Sequence, residues 1–481
     1  MKKAAILLLL LLYTITPING QEPATQIRAV WLTTNWQLDW PSGRLSQEQQ
    51  KEELRIILDK LQKLNFNTVL FQVRVRGSVL YRSAIEPMSS FVKTNATSGG
   101  KFDPLAFAVD ECHKRNMECH AWMVTYPIGS QKNKPGLAIR HPEMCKLYKG
   151  EWYLDPGNPD TNGYILSLVK EIVEGYDVDG IHFDYIRYPD ENAGFPDRQA
   201  FRKFGNGLSL GEWRRENITK FVSMAYNYVK SIKPWVQVSS SPIGIYRSLS
   251  GRGDRWSGYE SVYQDSYNWL KLGIHDAVYP MMYYEDNNFY PYIKDWVKNA
   301  NGRFIVPGLG VYKMLPNEQN WNLQMITRQM DFIRQQQTQG EAFFRLGMIL
   351  DNVKGIQDEL VSYYRHPAKL PPMNWLSAKA PEAPKDFEIY RTDSTTIQLR
   401  WGASSSDKLT YTIYSFDPSD TIGTDRPENI IATGIRGSEW KYKQGDSAHG
   451  KFFGVSASDR FHNESEIGEI AFFIPSLELA K

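Results

Sequence analysis

Residues 177–189 read Asp177-Val178-Asp179-Gly180-Ile181-His182-Phe183-Asp184-Tyr185-Ile186-Arg187-Tyr188-Pro189. Gly180, His182 and Asp184 alternate with Ile181, Phe183 and Tyr185, so a strand here sends its polar set one way and its apolar set the other. Asp184 falls late in the run, and the charged, aromatic Arg187-Tyr188-Pro189 follows at once. A carboxylate at the exit of a buried strand is either a cap for the next loop or part of a reaction site. The surrounding chain decides between them.

On both sides, strand-like and helix-like runs alternate. Strand candidates cover residues 27–33, 68–74, 118–124, 180–185, 236–241, 277–283, 304–309 and 347–350. Helix-length segments lie at 46–64, 104–115, 163–176, 210–233, 257–272, 290–299, 320–339 and 353–364. The first carries Leu54, Ile57, Leu58, Leu61 and Leu64 at helical spacing, with Ser46 and Gln49 placed for a capping box. This alternation implies parallel strands with right-handed crossovers, and eight units predict an α/β fold of the (β/α)8 TIM barrel type. A doubly wound open sheet is the structural alternative. The first strand is not followed by the GxGxxG of its dinucleotide-binding version, and no organic cofactor is indicated.

Past the barrel the period changes. Residues 367–384 are rich in Pro and Ala and read as a linker. Residues 396–401, 411–414 and 452–457 then alternate between Ser/Asp/Gly clusters, which predicts a small all-β sandwich over 385–481. At the other end, Met1-Lys2-Lys3 and the apolar run 4–12 read as a signal peptide over residues 1–20, too short for the ~20 residues of a membrane span. The expected domains are the signal peptide, a barrel over 21–366, the linker and the sandwich. The expected location is periplasmic or secreted, with no integral membrane segment after signal removal.

The 481 residues include 56 basic and 54 acidic side chains, a balance of +2 that argues against nucleic acid as a partner. Aromatics make up 13% of the chain, with 14 Trp and 27 Tyr, a load that suits stacking on sugar rings. Cys112, Cys119 and Cys145 are odd in number and lack CxxC spacing, so one disulfide at most can form and no cysteine zinc site is readable. Oligomeric state is not encoded in any of these features.

In a barrel the C-terminal strand ends form the active face. Trp31, Arg74, Trp122, His182, Asp184, Arg187, Tyr283, Glu285, Asp286 and Asp351 then converge on one rim from separate segments, and the mixture of aromatic and charged groups points to a carbohydrate site. Glycoside cleavage needs two carboxyl groups, one to protonate the leaving oxygen and one as nucleophile or base. Asp184 fits the second role, with Arg187 expected to hold it ionised. Glu285 or Asp286 fits the first, since Tyr283 and Tyr284 could desolvate a carboxyl there; Asp351 is the other contender. His182 is expected to be neutral and hydrogen-bonded to Asp184 rather than a metal ligand. No metal is indicated. Asp155, before a Pro-Gly-Asn-Pro turn, reads as a turn residue.

The run from Gly180 to Pro189, preceded by Leu154-Asp155-Pro156-Gly157-Asn158-Pro159, resembles the bacterial glycosyl-hydrolase-like 10 family of exported proteins. Arg28-Ala29-Val30-Trp31-Leu32, Phe71-Gln72-Val73-Arg74, Tyr263-Gln264-Asp265 with Trp269-Leu270, and Pro280-Met281-Met282-Tyr283 match its other blocks in order. The resemblance spans residues 27–365. It implies a (β/α)8 glycosidase acting on a polysaccharide or peptidoglycan-type glycan, with Asp184 as catalytic carboxylate and Trp31, Arg74, Asp265 and Tyr283 lining the site. Residues 179–186 also resemble the chitinase-type strand-four motif, and Met281-x-Tyr283 fits that clan. There, however, His182 replaces one acid and Ile186 takes the place of the acid/base glutamate, so a substrate-assisted mechanism is not implied. The sandwich resembles a fibronectin type III module, which implies binding or spacing. A silent glycan-binding protein using the same rim is the reading from another class. A polysaccharide deacetylase ranks last, because His120, His141 and His182 lie on separate segments without ligand spacing.

Overall fold

A computed structural model describes residues 21–93, 102–190, 192–253, 255–393, 396–402, 408–443 and 450–473. The signal peptide expected over residues 1–20 lies outside them. Eight parallel strands form one sheet: β1 (Ile27–Leu32), β2 (Thr68–Val75), β3 (Glu118–Val124), β4 (Gly180–Asp184), β5 (Gln237–Ser240), β6 (Ala277–Val278), β7 (Phe304–Ile305 continuing as Gly308–Leu309) and β8 (Gly340–Phe343). The break in β7 falls at Val306-Pro307, where proline removes a ladder donor. The first half of β7 pairs with β6 through Ala277 and Phe304, and the second half pairs with β8 through Gly308 and Ala342. Since β8 pairs with β1 from Gly340 and Ile27 onward, the ring closes. The fold is a (β/α)8 barrel.

Alternation along the strands sorts the core into two layers. Ile27, Ala29 and Trp31 of β1 join Leu70, Trp122, Tyr279 and Ala342 in the barrel interior. Val30 and Leu32 face outward into the larger core between strands and helices, as do Ile181 and Phe183 of β4. That core is completed by amphipathic helices such as Gln47–Lys63, which starts at the predicted Ser46–Gln49 capping box and buries Leu54, Ile57, Leu58 and Leu61. Gly180 allows the inner layer to close: a Cβ there would sit 2.4 Å from His120 Nδ1.

Three expectations need correction. The eighth strand is Gly340–Phe343, and residues 346–350 form a short helix instead. A buried Glu341 interrupts the apolar run that a buried parallel strand usually shows; Gln26 and Tyr364 satisfy its carboxyl. The expected helix over 257–272 is two short ones, Gly258–Ser261 and Ser266–Lys271, interrupted near Tyr263 at φ 57°. The expected helix at 290–299 begins earlier, as Asp286–Lys298.

The N-terminal mouth of the barrel is covered. Met373 from the segment after the last helix enters the interior cluster, with Leu370, Trp375, Leu376 and Phe461 packed against it. Phe461 belongs to a C-terminal unit of two antiparallel sheets. One contains β9 (Glu388–Arg391), β10 (Ile397–Arg400) and β13 (Glu439–Tyr442); the other contains β12 (Ile430–Ile435), β11 (Thr410–Phe416), β14 (Phe452–Ser458) and β15 (Ile470–Phe472). Both contribute to one core, with Ile397 and Leu399 meeting Ile413, Phe453 and Val455. All three cysteines are buried free thiols. Among the described residues no helix is long and apolar enough to cross a membrane.

Candidate active site

Asp184 ends β4 inside the C-terminal mouth, and its carboxyl is buried. Oδ1 accepts hydrogen bonds from the Tyr185 backbone N–H at 2.7 Å and the Ser241 hydroxyl at 2.9 Å. Oδ2 accepts from Trp122 Nε1–H at 3.3 Å. All three donors are neutral. Burial pushes the carboxyl above the usual carboxylate range, and the Arg187 charge and these donors only partly oppose it. The Arg187 charge acts on Asp184 in the expected, ionising direction, but burial outweighs it. The Arg187 guanidinium stacks on the Tyr185 ring at 4.3 Å and pairs with Asp190 at 3.3 Å, which dilutes its field at Asp184.

Tyr283 stands nearby, its ring stacked on Phe344 at 5.7 Å and edge-on to Tyr312 at 5.6 Å. Burial, with the Asp184 charge second, pushes its phenol well up, so it stays a hydrogen-bond donor. Beside Asp184 a cleft of about 210 Å³ is lined by Tyr148, Tyr153, Tyr185, Arg187, Tyr188 and Asp190. One wall is a small antiparallel sheet of Pro127–Ser130, Cys145–Tyr148 and Glu151–Leu154, inserted after β3. Asp155 follows it, buried and bonded to the Gly157 N–H at 2.9 Å, with burial lifting its pKa to about 6.

The remaining expected residues lie in the barrel interior, in the loops around it or exposed on its C-terminal side. Trp31 is buried in the barrel and donates to His182 Nε2 at 3.2 Å. His182 is held neutral by burial, but its second partner is Ser239 at 2.9 Å rather than Asp184. Arg74 is fully buried, with Nε and Nη2 on Glu86 at 2.8 and 2.6 Å and Nη1 on the Thr125 carbonyl at 2.8 Å; it ties β2 to the end of β3. Asp265 accepts from Tyr246 Oη at 2.6 Å beneath the stacked Tyr246 and Tyr267 rings. Asp351 is exposed at the end of the 346–350 helix. Glu285 and Asp286 are exposed at the start of the Asp286–Lys298 helix, where acids favour the helix dipole. Tyr283 and Tyr284 therefore do not desolvate them. Glu285 is fixed by Trp321 Nε1–H at 2.7 Å.

The structure brings together Asp184, Trp122, Arg187 and Tyr283 of the expected set with Ser241, at the end of the run 236–241 also expected to reach the rim, and adds Tyr185. The alternation of residues 180–185 places Tyr185 in the apolar set. The strand stops at Asp184, and Tyr185 turns out at φ 48° and is 43% exposed. Among the described residues no group of three His, Cys, Asp or Glu side chains is placed to hold a metal ion.

The model of the glycosyl hydrolase-like 10 family matches residues 26–312. The glycosyl hydrolase YngK of Bacillus subtilis (strain 168) is 29% identical over 476 residues, covering 92% of this chain and 92% of that protein. The glycosyl hydrolase DigH of Escherichia coli (strain K12) is 31% identical over 335 residues, covering 62% of this chain and 76% of that one. Among solved structures, the PgaB (BpsB) glycoside hydrolase domain from Bordetella bronchiseptica aligns over 70% of this chain and 98% of its own, at 14% identity and a TM-score of 0.48. The family match spans β1 through the second half of β7, including Asp184 and the loops that surround it. The chain belongs to the glycosyl hydrolase-like 10 family.

Proposed function

We propose that this protein is an exported glycoside hydrolase acting on a bacterial cell-wall or related polysaccharide, with Asp184 as its proton donor. The observation that carries this reading is the Asp184 carboxyl, buried at the end of β4 among neutral donors and shifted upward. A carboxyl whose pKa is raised by burial is suited to protonate a leaving glycosidic oxygen. The roles expected from the sequence are thus exchanged: Asp184 is the acid, and Glu285 is the second carboxyl. Glu285 follows Tyr283 on the same loop, and Trp321 fixes its orientation. Tyr283 donates to the sugar or to the leaving oxygen. Trp31, Arg74 and His182 hold the barrel beneath the site. The names of YngK and DigH, both glycosyl hydrolases, support the reaction class. The run 1–12 supports export. The strand order of the two C-terminal sheets supports a fibronectin type III-like module.

Release of reducing ends from solubilised cell-wall glycan strands and chitin-type oligomers tests the reading. Wild-type protein is expected to release them, Asp184→Asn to lose about a thousandfold or more, and Glu285→Gln about a hundredfold. Binding of these glycans with no reducing ends from the wild type would replace the hydrolase by a glycan-binding protein.

A further inference from the structure

Exposed aromatic rings on a barrel rim need an occupant. Trp36, Tyr185 and Trp256 are 66%, 43% and 44% exposed, and lie in the loops after β1, β4 and β5 on the Asp184 face. Contacts tie them into two groups that follow one another round the rim, in strand order, as one row. The Arg76 guanidinium lies over Trp36 at 5.4 Å and pairs with Glu151 at 3.0 Å. Arg187 lies over Tyr185 at 4.3 Å and pairs with Asp190 at 3.3 Å. The Asp190 carbonyl in turn receives Trp256 Nε1–H at 3.5 Å. Both arginines are pinned by a carboxylate while stacked on a ring, which fixes the plane of that ring before any ligand arrives.

The backbone makes the same point independently. Trp36, Arg76 and Tyr185 have φ of 57°, 53° and 48°, a left-handed conformation that bulky side chains avoid. Such cost concentrates where a side chain must be aimed at a ligand. Here it turns two rings of the row away from the core.

From these observations we infer that the row is an extended binding track for several consecutive sugar units, and that the protein cuts inside chains rather than from their ends. The loops that carry Trp36 and Trp256 follow β1 and β5, four strand positions apart in the eight-stranded ring, and Asp184 on β4 falls between them in strand order. Four inter-strand steps of about 4.8 Å separate them along the wall, more than one sugar ring can bridge. A pocket for chain ends would be blind on one side of the acid; this row continues on both. The inference rests on the proposed glycan reading and adds the mode of attack.

The test compares solubilised cell-wall glycan strands with their three-sugar fragments. Binding is measured by calorimetry on full-length Asp184→Asn protein, so that turnover does not interfere. Strands are expected to bind at least about tenfold tighter than fragments. Trp36→Ala or Trp256→Ala, each added to that background, should cut the ratio by about tenfold, and Trp36→Tyr should keep most of it. Equal affinity for strands and fragments, or an unchanged ratio in both alanine variants, overturns the track. Wild-type digests supply a second readout: mean strand length should fall early, before small products accumulate. Release of only one- or two-sugar products from undiminished strands overturns internal cutting while leaving the hydrolase intact. Length-dependent binding without any cleavage leaves the track standing and removes the hydrolase.

Discussion

The two mouths of the barrel are built from the same residue types and behave in opposite ways. At the N-terminal mouth every acid at a strand start is met by a cation or a dedicated donor. Asp179 receives His113 at 2.8 Å and Arg460 at 3.5 Å, Asp177 receives Arg460 at 3.1 Å, and Asp276 receives Lys230 at 2.6 Å and Trp375 at 3.0 Å. Burial pushes Glu118 up, but His462 at 2.7 Å and His120 at 2.9 Å outweigh it and hold it well below the usual range. At the C-terminal mouth Asp184 is as deeply buried, yet its hydrogen bonds come from neutral groups and its pKa moves the other way. A cationic partner holds a buried acid charged, whereas burial among neutral donors raises its pKa; Glu341, bonded to the Gln26 and Tyr364 side chains, shares the upward shift of Asp184. Pairing distinguishes the two, and residue type does not.

The sharpest way to break this contrast is Asp184→Asn, which should remove about a thousandfold or more of the hydrolysis while the protein stays folded. Its stability carries the sign. A carboxyl with a raised folded pKa binds its proton more tightly in the native state, so wild-type stability falls as pH rises from about 3.8 through the folded value. The amide has no such penalty. The melting temperature of the variant relative to wild type should therefore climb between pH 3.5 and 7. A flat or falling difference over that range would place Asp184 among the paired acids.

The opposite mouth should respond in stability and leave the chemistry alone. Arg460→Ala strips the mostly buried Asp179 of a cation and should cost about 2–3 kcal/mol by chemical denaturation. The Glu118–His462 pair sets two pH limits. Glu118 is depressed, so its contribution is present above the unfolded carboxylate value and is lost in acid. For His462, burial alone would lower the pKa, but Glu118 raises it on balance, so its contribution is complete below about 6.5 and fades as pH rises through the folded value. His462→Ala should flatten the alkaline loss in a melting series from pH 6 to 9. If Arg460→Ala instead leaves stability untouched, the lower mouth is not the clamped end.

The barrel was legible because period-2 runs and helical runs alternate clearly, and Asp184 because an acid closes one such run. What escaped depends on partners distant in sequence. Trp31 and Arg74 looked like rim residues, but strand ends alone do not say whether a side chain faces the filled interior or the cleft; His182, Glu86 and Thr125 decide that. The hydrogen bonding of Asp184 needed Trp122 from β3 and Ser241 after β5 in the same place. Glu341 hid the eighth strand because its satisfying partners, Gln26 and Tyr364, come from both ends of the barrel. The docking of Arg460 on Asp177 joins residues 283 positions apart, and no local pattern announces it.

The finest test asks how much one neutral donor contributes. Trp122→Phe keeps an aromatic ring against the barrel core but removes the Nε1–H that reaches Asp184 Oδ2 at 3.3 Å. That bond favours the charged carboxylate, so its loss should raise the Asp184 pKa further. The proton would be held more tightly. The limb of the pH–rate profile that reports loss of the acid should move to higher pH, and turnover at the optimum should drop by only a few-fold, about 1 kcal/mol for one neutral hydrogen bond. A Trp122 that merely packs would lower stability and leave that limb where it is. A shift to lower pH would mean that Asp184 draws its partners from charge after all, and the two mouths would then differ only in degree.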